Sequence, residues 1–277
     1  MTTFKDDGAI IYIPHGGGPL PLLGHAGHDA MNAFLKELAA MLPKPEAVVV
    51  VSAHWESDPL RVTRHPAPET VYDYYGFPGQ AYEIAYPAAG HPELAVKAVA
   101  LLEKSGIRAE ADAKRGFDHG VYIPLSLMLP EADVPCIQIS LSKSLDAQEH
   151  LLMGQALGPL LKENIWLLGS GFSFHNMRGF DLQAGPDTPA APDPQNRSFQ
   201  DWLKKICADG RTSPEQRREK LLNWEHAPAA RHCHPREEHL LPLMVCAGAA
   251  GYRPAQKVFD VKIMGRSSVC FFWPGTV

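Results

Sequence analysis

The 277-residue chain lacks several features that would settle its class at once, and each absence narrows the field. No run approaches the roughly 20 consecutive apolar residues of a membrane-spanning helix, so no membrane partner is expected. The first residues, Met1 to Asp7, carry no apolar core of the kind a signal peptide needs. Cysteine is sparse: five residues, at 136, 207, 233, 246 and 270, scattered and without a C-x-x-C pair. That argues against a disulfide framework or a cysteine-rich zinc module, and it predicts a reducing, cytoplasmic setting. Positive charge is not in surplus. A formal net charge of −5 gives no electrostatic case for nucleic acid or an anionic membrane.

Familiar catalytic signatures are missing too. There is no Walker loop, and Gly16-Gly17-Gly18 does not fit G-x-G-x-x-G. Gly169-Ser170-Gly171 is not G-x-S-x-G, and the cluster from His232 to His239 matches neither H-E-x-x-H nor H-x-x-E-H. No internal repeat or low-complexity tract interrupts the chain. Its 45% hydrophobic and 21% charged residues are ordinary for a soluble enzyme. By length it could form one α/β domain or two small ones.

What the chain has in excess is histidine, 13 residues, and proline, 25. The prolines predict stiff loops; the histidines make a metal worth testing. The placement of two histidines is the strongest local signal. In Ile10-Ile11-Tyr12-Ile13-Pro14-His15-Gly16-Gly17-Gly18-Pro19 an apolar, strand-like run ends on a histidine, and glycines and a proline stop the strand there. Ala47-Val48-Val49-Val50-Val51-Ser52-Ala53-His54 repeats the arrangement.

The remaining elements alternate. Helices are expected at Asp29 to Leu42, capped by Asp29, at His91 to Lys104, and at Val121 to Met128. Further helices are expected at Ala147 to Glu163 with a bend at Gly158-Pro159, at Phe199 to Ala208, and at Pro214 to Leu222. A last helix should run from Pro235 to Ala249, capped by His234 and kinked by Pro242. Strands are expected at Ala47 to Ser52, Arg61 to Thr63, Arg108 to Ala111, Pro135 to Leu141 and Ile165 to Leu168. Lys257 to Met264 and Ser267 to Phe272 read as a hairpin around Gly265. Residues 66–86, rich in tyrosine, read as an ordered loop and a wall of a pocket, and residues 181–195 as a surface loop. The pattern predicts an α/β fold with a central, mostly parallel sheet flanked by helices. Ligands in such sheets gather at the carboxyl ends of the strands. His15, His54 and His175 all fall at or just beyond such ends.

Two neutral imidazoles in matching contexts favour metal ligation at His15 and His54 over a purely local hydrogen-bonding role. His175, after Gly169-Ser170-Gly171, ligates, acts as an acid/base beside substrate, or is a loop histidine bonded to backbone. His119 can orient or protonate a substrate, while Asp118 beside it reads as a turn residue. His239 and Glu238 are placed to point into a site. His232 and His234 read as exposed or capping, Cys233 as a solvated or packed thiol in preference to a ligand, and the other histidines as surface or structural.

Taken in order, several segments resemble the class III extradiol ring-cleavage dioxygenases, in the branch that includes the 4,5-DOPA dioxygenases. They are His15-Gly16-Gly17-Gly18-Pro19, Val49-Val50-Val51-Ser52-Ala53-His54-Trp55, Tyr75-Gly76-Phe77-Pro78 and Tyr86-Pro87-Ala88. Gly116-Phe117-Asp118-His119-Gly120, Gly169-Ser170-Gly171 with His175-Asn176, and His234-Pro235-Arg236-Glu237-Glu238-His239-Leu240-Leu241-Pro242-Leu243 complete the set. The resemblance implies one catalytic domain of the class III extradiol type over residues 1–277, with its metal at the C-terminal ends of the strands. The metal is Fe(II) in active dioxygenases and sometimes Zn(II). By position, His15, His54 and His239 become the protein ligands. His175 becomes the acid/base histidine and a candidate fourth ligand, and His119 a histidine behind the ligands near substrate. The implied partners are a small aromatic diol and O₂; the oligomeric state stays open. Two departures stand out. His239 takes the place where better-studied relatives use a carboxylate, with Glu238 beside it. Three glycines also stand where relatives often carry a serine. A zinc hydrolase using Glu238 or His175 as base, and a non-catalytic binding member of the fold, are the alternatives.

Overall fold

The computed structural model describes residues 8–185 and 191–275. The reading of Met1 to Asp7, and Pro186 and Pro189 of the 181–195 loop, lie outside the described residues. Among these residues the elements run β1 (Ala9–Pro14), α1 (Asp29–Ala40), β2 (Ala47–Ser57), β3 (Leu60–Thr63), α2 (Pro92–Lys104), β4 (Ala109–Asp112), α3 (His119–Met128) and β5 (Cys136–Ser142). They continue with α4 (Ala147–Leu157), β6 (Ile165–Gly171), α5 (Pro194–Ala208), α6 (Pro214–Leu222), α7 (Ala230–Cys233), α8 (Leu241–Ala249), β7 (Lys257–Ile263) and β8 (Arg266–Pro274). The described strands form one eight-stranded sheet in the order β4-β3-β5-β2-β6-β1-β8-β7. Its centre, β5-β2-β6-β1, is parallel, while β8 and β7 add an antiparallel hairpin on one side. Among the described residues no helix is long and apolar enough to cross a membrane.

The β-branched runs explain why the middle strands are covered on both faces. Side chains alternate across a strand, so a strand buried on both sides must be apolar at every position. Ile10, Tyr12, Val49 and Val51 pack into one core with helices α2, α4 and α8. Ile11, Ile13, Val48 and Val50 pack into the other with α1 and α3.

Register then sets the site. Pro14 of β1 pairs with Gly171 of β6, and Ser52 of β2 pairs with Ser170. Parallel neighbours with level ends deliver the next residues to one place, and those residues include His15 and His54.

Several boundaries differ from the sequence reading, each for a local reason. Asp29 is the first residue of α1 and not its cap; His28 holds the N-cap position without a side-chain capping bond. β2 runs on past His54 to Ser57, and its ladder with β5 shifts between Val51 and Glu56. His54 therefore lies in an irregular stretch of strand, not beyond its end. α4 stops at Leu157, and a tighter 3₁₀ turn follows from Gly158 to Glu163, because Pro159 has no N–H for a continuing α-helix. α5 starts at Pro194, five residues before Phe199, with Asp193 accepting from Asn196 N–H as its cap. The last helix begins at Leu241, not Pro235, so Pro242 sits in its first turn and does not kink it. His234 caps no helix at Pro235; it terminates α7.

β6 is also longer than its apolar run, because Gly169-Ser170-Gly171 belongs to the strand. A β-carbon at Gly171 would lie 2.2 Å from the His239 carbonyl oxygen, and one at Gly169 would lie 2.6 Å from Cys246 Sγ. These glycines let the segment carrying His239 rest directly on the sheet. Gly171→Ala should therefore destabilise the protein by about 1–3 kcal/mol, the usual range for forced overpacking. The check is the urea midpoint; an unchanged midpoint would show that the His239 segment yields freely.

Candidate metal centre

His15 follows β1 directly, and Gly16 turns the chain at once with φ +84°. A β-carbon there would also lie 2.3 Å from Pro21 Cγ, so glycine is required twice over. The next glycine is held from behind: Gly17 N–H donates to His28 Nε2 at 3.0 Å. Burial first, then neighbouring His25, lowers the pKa of His28 to about 3. His28 is thus a neutral structural acceptor.

His15 is 1% exposed, and its Nδ1 lies 2.9 Å from Ser170 Oγ. The Ser170 hydroxyl donates to Gly120 O, so it accepts from His15 and places the imidazole proton on Nδ1. His54 has Nδ1 3.4 Å from Asp73 Oδ2. His119 opens α3; its backbone N–H and its Nδ1 both donate to Asp73 Oδ1, at 3.1 and 2.8 Å. Asp118 is more than a turn residue. It is buried, caps α3 by accepting from Gly120 N–H at 3.1 Å, and accepts from Ser52 Oγ at 2.8 Å. Burial foremost, then the charge of Asp73, raises its pKa.

From the other side come His175 and His239. His175 lies four residues past β6, and its N–H donates to Cys233 O at 2.8 Å. His239 lies in the turn before α8, where its carbonyl accepts from Phe172 N–H at 2.9 Å and Tyr12 OH at 3.1 Å. Glu238 serves both rings with one oxygen: Oε1 is 2.8 Å from His239 Nδ1 and 3.1 Å from His175 Nδ1. Burial would raise the Glu238 pKa, but the hydrogen bond and charge of His175 bring it below the ordinary carboxylate value. The two rings stack at 3.3 Å between centroids.

The five rings meet. Centroids of His15 and His54 are 4.8 Å apart, and His239 lies 5.2 and 4.9 Å from them. His119 is equally close, 5.2 Å from His15 and 3.9 Å from His54. The potential ligand atoms of His15, His54 and His119 lie within 4.8 Å of one another, as do those of His175, Glu238 and His239. The sequence reading groups His15, His54 and His239; by ligand-atom distance the structure instead sets His119 with His15 and His54, and His239 with His175 and Glu238. Burial first, then neighbouring histidines, pushes His15, His54 and His239 well below the ordinary histidine pKa. Neutral imidazole is the ligating form.

One contact tests whether a cation fits. His15 Nε2 and His54 Nε2 stand 3.0 Å apart. Ser170 keeps the His15 proton on Nδ1, so His15 Nε2 presents a lone pair to His54 Nε2. That lone pair can accept an N–H from His54 Nε2 or, when the His54 proton sits on Nδ1 beside Asp73, share a divalent ion with His54 Nε2. The donor set therefore suits such an ion.

The comparisons agree with this chemistry. Residues 13–272 match the catalytic LigB subunit of aromatic ring-opening dioxygenase. The chain belongs to the LigB family. This is a family of extradiol ring-cleavage dioxygenases. Among LigB relatives, the dioxygenase tasH of Hapsidospora irregularis is 35% identical over 96% of this chain and 86% of its own length. The 4,5-DOPA dioxygenase extradiol of Beta vulgaris is 40% identical over 87% of this chain and 86% of its own length. The crystal structure of an uncharacterized protein from Escherichia coli K12 superposes with a TM-score of 0.72 at 28% identity, covering 95% of this chain and 98% of that one.

Two site features of this LigB chain escape a sequence reading. Asp73 is an acid among tyrosines with no motif around it, and Ser170 looks like part of a glycine turn. The outlying histidines also differ from expectation. His234 is fully buried, not exposed, and its Nε2 donates to Ser173 O at 3.0 Å. His232 is half-buried, 3.0 Å from Asp193 Oδ2. Cys233 is a buried free thiol, as expected of a packed one.

Proposed function

We propose that the chain is a non-haem Fe(II)-dependent extradiol dioxygenase that opens the ring of a catechol-type, DOPA-like substrate with O₂, residues 1–277 acting as one catalytic domain. The observation that carries this is the pair of facing Nε2 atoms at 3.0 Å, with His15 hydrogen-bonded at Nδ1 to Ser170 and His54 Nδ1 3.4 Å from the Asp73 carboxylate. His15, His54 and His239 would hold the metal through Nε2: Nδ1 of His15 and of His239 is hydrogen-bonded to Ser170 and Glu238, and Nδ1 of His54 lies 3.4 Å from Asp73. Zinc(II) also suits imidazole donors, but it has no redox chemistry, so iron fits reaction with O₂ better. Once bound, iron would act as a Lewis acid and bring diol and O₂ together.

The chain's own groups do the rest. Glu238 holds the proton on His175 Nδ1, leaving Nε2 to take a proton from a substrate hydroxyl and later return it. His119, fixed by Asp73, would orient the substrate. Tyr74 lies 5.9 Å from His119 between ring centroids and 5.4 Å from Phe77. Gly18 faces both Tyr74 and Phe77, so these rings can form the wall against which an aromatic substrate lies. The product would be a ring-opened semialdehyde. Buried free thiols at all five cysteines support a reducing, cytoplasmic location.

The test is oxygen uptake over a panel of catechols, with protein purified anaerobically and loaded with Fe(II) or Zn(II). Turnover should need O₂, consume one O₂ per ring opened, and fail in the zinc-loaded protein. Undiminished turnover without O₂ would favour a hydrolase; no metal uptake and no catechol-dependent colour would favour a binding protein.

A further inference from the structure

The sequence offers no reason to look at Asp73, yet its carboxylate touches two histidines that arrive from different elements. The tyrosine-rich loop carrying it is clipped to the start of α3: Val71 N–H donates to Phe117 O at 2.8 Å, and Phe117 N–H donates to Glu69 O at 2.8 Å. The clip brings Asp73 to the mouth of α3, where its side chain is 17% exposed. One oxygen, Oδ1, accepts from both the backbone N–H and Nδ1 of His119. The other, Oδ2, lies 3.4 Å from His54 Nδ1. A carboxylate has only acceptors to offer. His119 therefore carries its proton on Nδ1 and turns a bare Nε2 toward the centre, and the charge of Oδ2, 3.4 Å from His54 Nδ1, favours a proton on that nitrogen of His54 as well.

We infer that Asp73 is the positioning residue that sets the tautomer of His54 and His119 together, so that the aromatic loop and the metal centre form one unit. This rests on the reading of the site as a metal-dependent one. The competing role is a purely structural staple between the loop and α3. Asp73→Asn separates the two. The amide oxygen can still serve His119, but the amide nitrogen then faces His54 Nδ1 as a donor. His54 is driven to carry its proton on Nε2, where it can no longer ligate.

The measurement is cobalt(II) or iron(II) binding by chelator competition, with the Co(II) absorption bands as a second signal and the Tm of the metal-free protein as control. Losing an outer partner of a metal-bound histidine typically costs about 10–100-fold in affinity, and that loss is expected here with the metal-free Tm little changed. A lower metal-free Tm with wild-type metal affinity would make Asp73 a staple and overturn the assignment while leaving the dioxygenase reading intact. Failure of the wild-type protein to take up either metal would overturn both. The imidazole nitrogen NMR shifts of the metal-free wild-type protein decide the point even if Asp73→Asn does not fold. A proton on His54 Nδ1 supports the assignment, and one on Nε2 overturns it.

Discussion

Replacing His15 by alanine should leave a folded protein that no longer retains a divalent ion and opens no aromatic ring. His15 is buried against β6, with Nδ1 on Ser170 and Nε2 at the mouth of the donor ring. Burial keeps it neutral, so protons do not compete with a metal near neutral pH. Because loss of a mere outer partner costs about 10–100-fold in metal affinity, loss of a ligand should exceed about 100-fold. The readouts are metal content after dialysis and chelator competition, with the metal-free Tm alongside. A His15→Ala protein that keeps one equivalent of metal at wild-type affinity would end the proposal. The same assay on His239→Ala and His119→Ala identifies the third ligand, since both rings stand about 5 Å from His15. Metal loss is expected for His239→Ala and retention for His119→Ala.

Replacing His175 by alanine should have the opposite signature: metal kept, chemistry lost. General acid/base help is worth about 10²–10⁴-fold, and kcat should fall by that amount. The ring is stacked on His239 at 3.3 Å, so its removal frees a face of a ligand. Glu238 still holds His239 Nδ1 at 2.8 Å, and the ligand geometry should survive. Added imidazole should restore part of the rate. Wild-type kcat would remove His175 from proton transfer. Parallel loss of metal would make it a fourth ligand instead. Either result is read from metal content and single-turnover rates on the same sample.

Much of this architecture was legible from local patterns. Short β-branched runs such as Val48 to Val51 favour strands covered on both faces, and alternation with helices makes the sheet mainly parallel. Glycines after Pro14-His15 stop the strand whatever surrounds it, so His15 had to stand at a strand end. The hairpin at Gly265 was equally local. The helix before the C-terminal hairpin was not. A histidine, a proline and an apolar run looked like a cap and a start at Pro235, but the chain turns until Leu241. That turn follows from packing on Gly169 and Gly171, far away in sequence.

The amino-acid order alone therefore settled the fold class, the two histidine-bearing strand regions and the idea of a shared metal. These depend on side-chain alternation and on backbone freedom within a few residues. Only the folded chain could bring His119 beside His54, seat Asp73 between them, bury His234, and join His175 to His239 through one oxygen of Glu238. Those contacts depend on strand register and on the close approach of distant segments, and no short window of sequence carries that information.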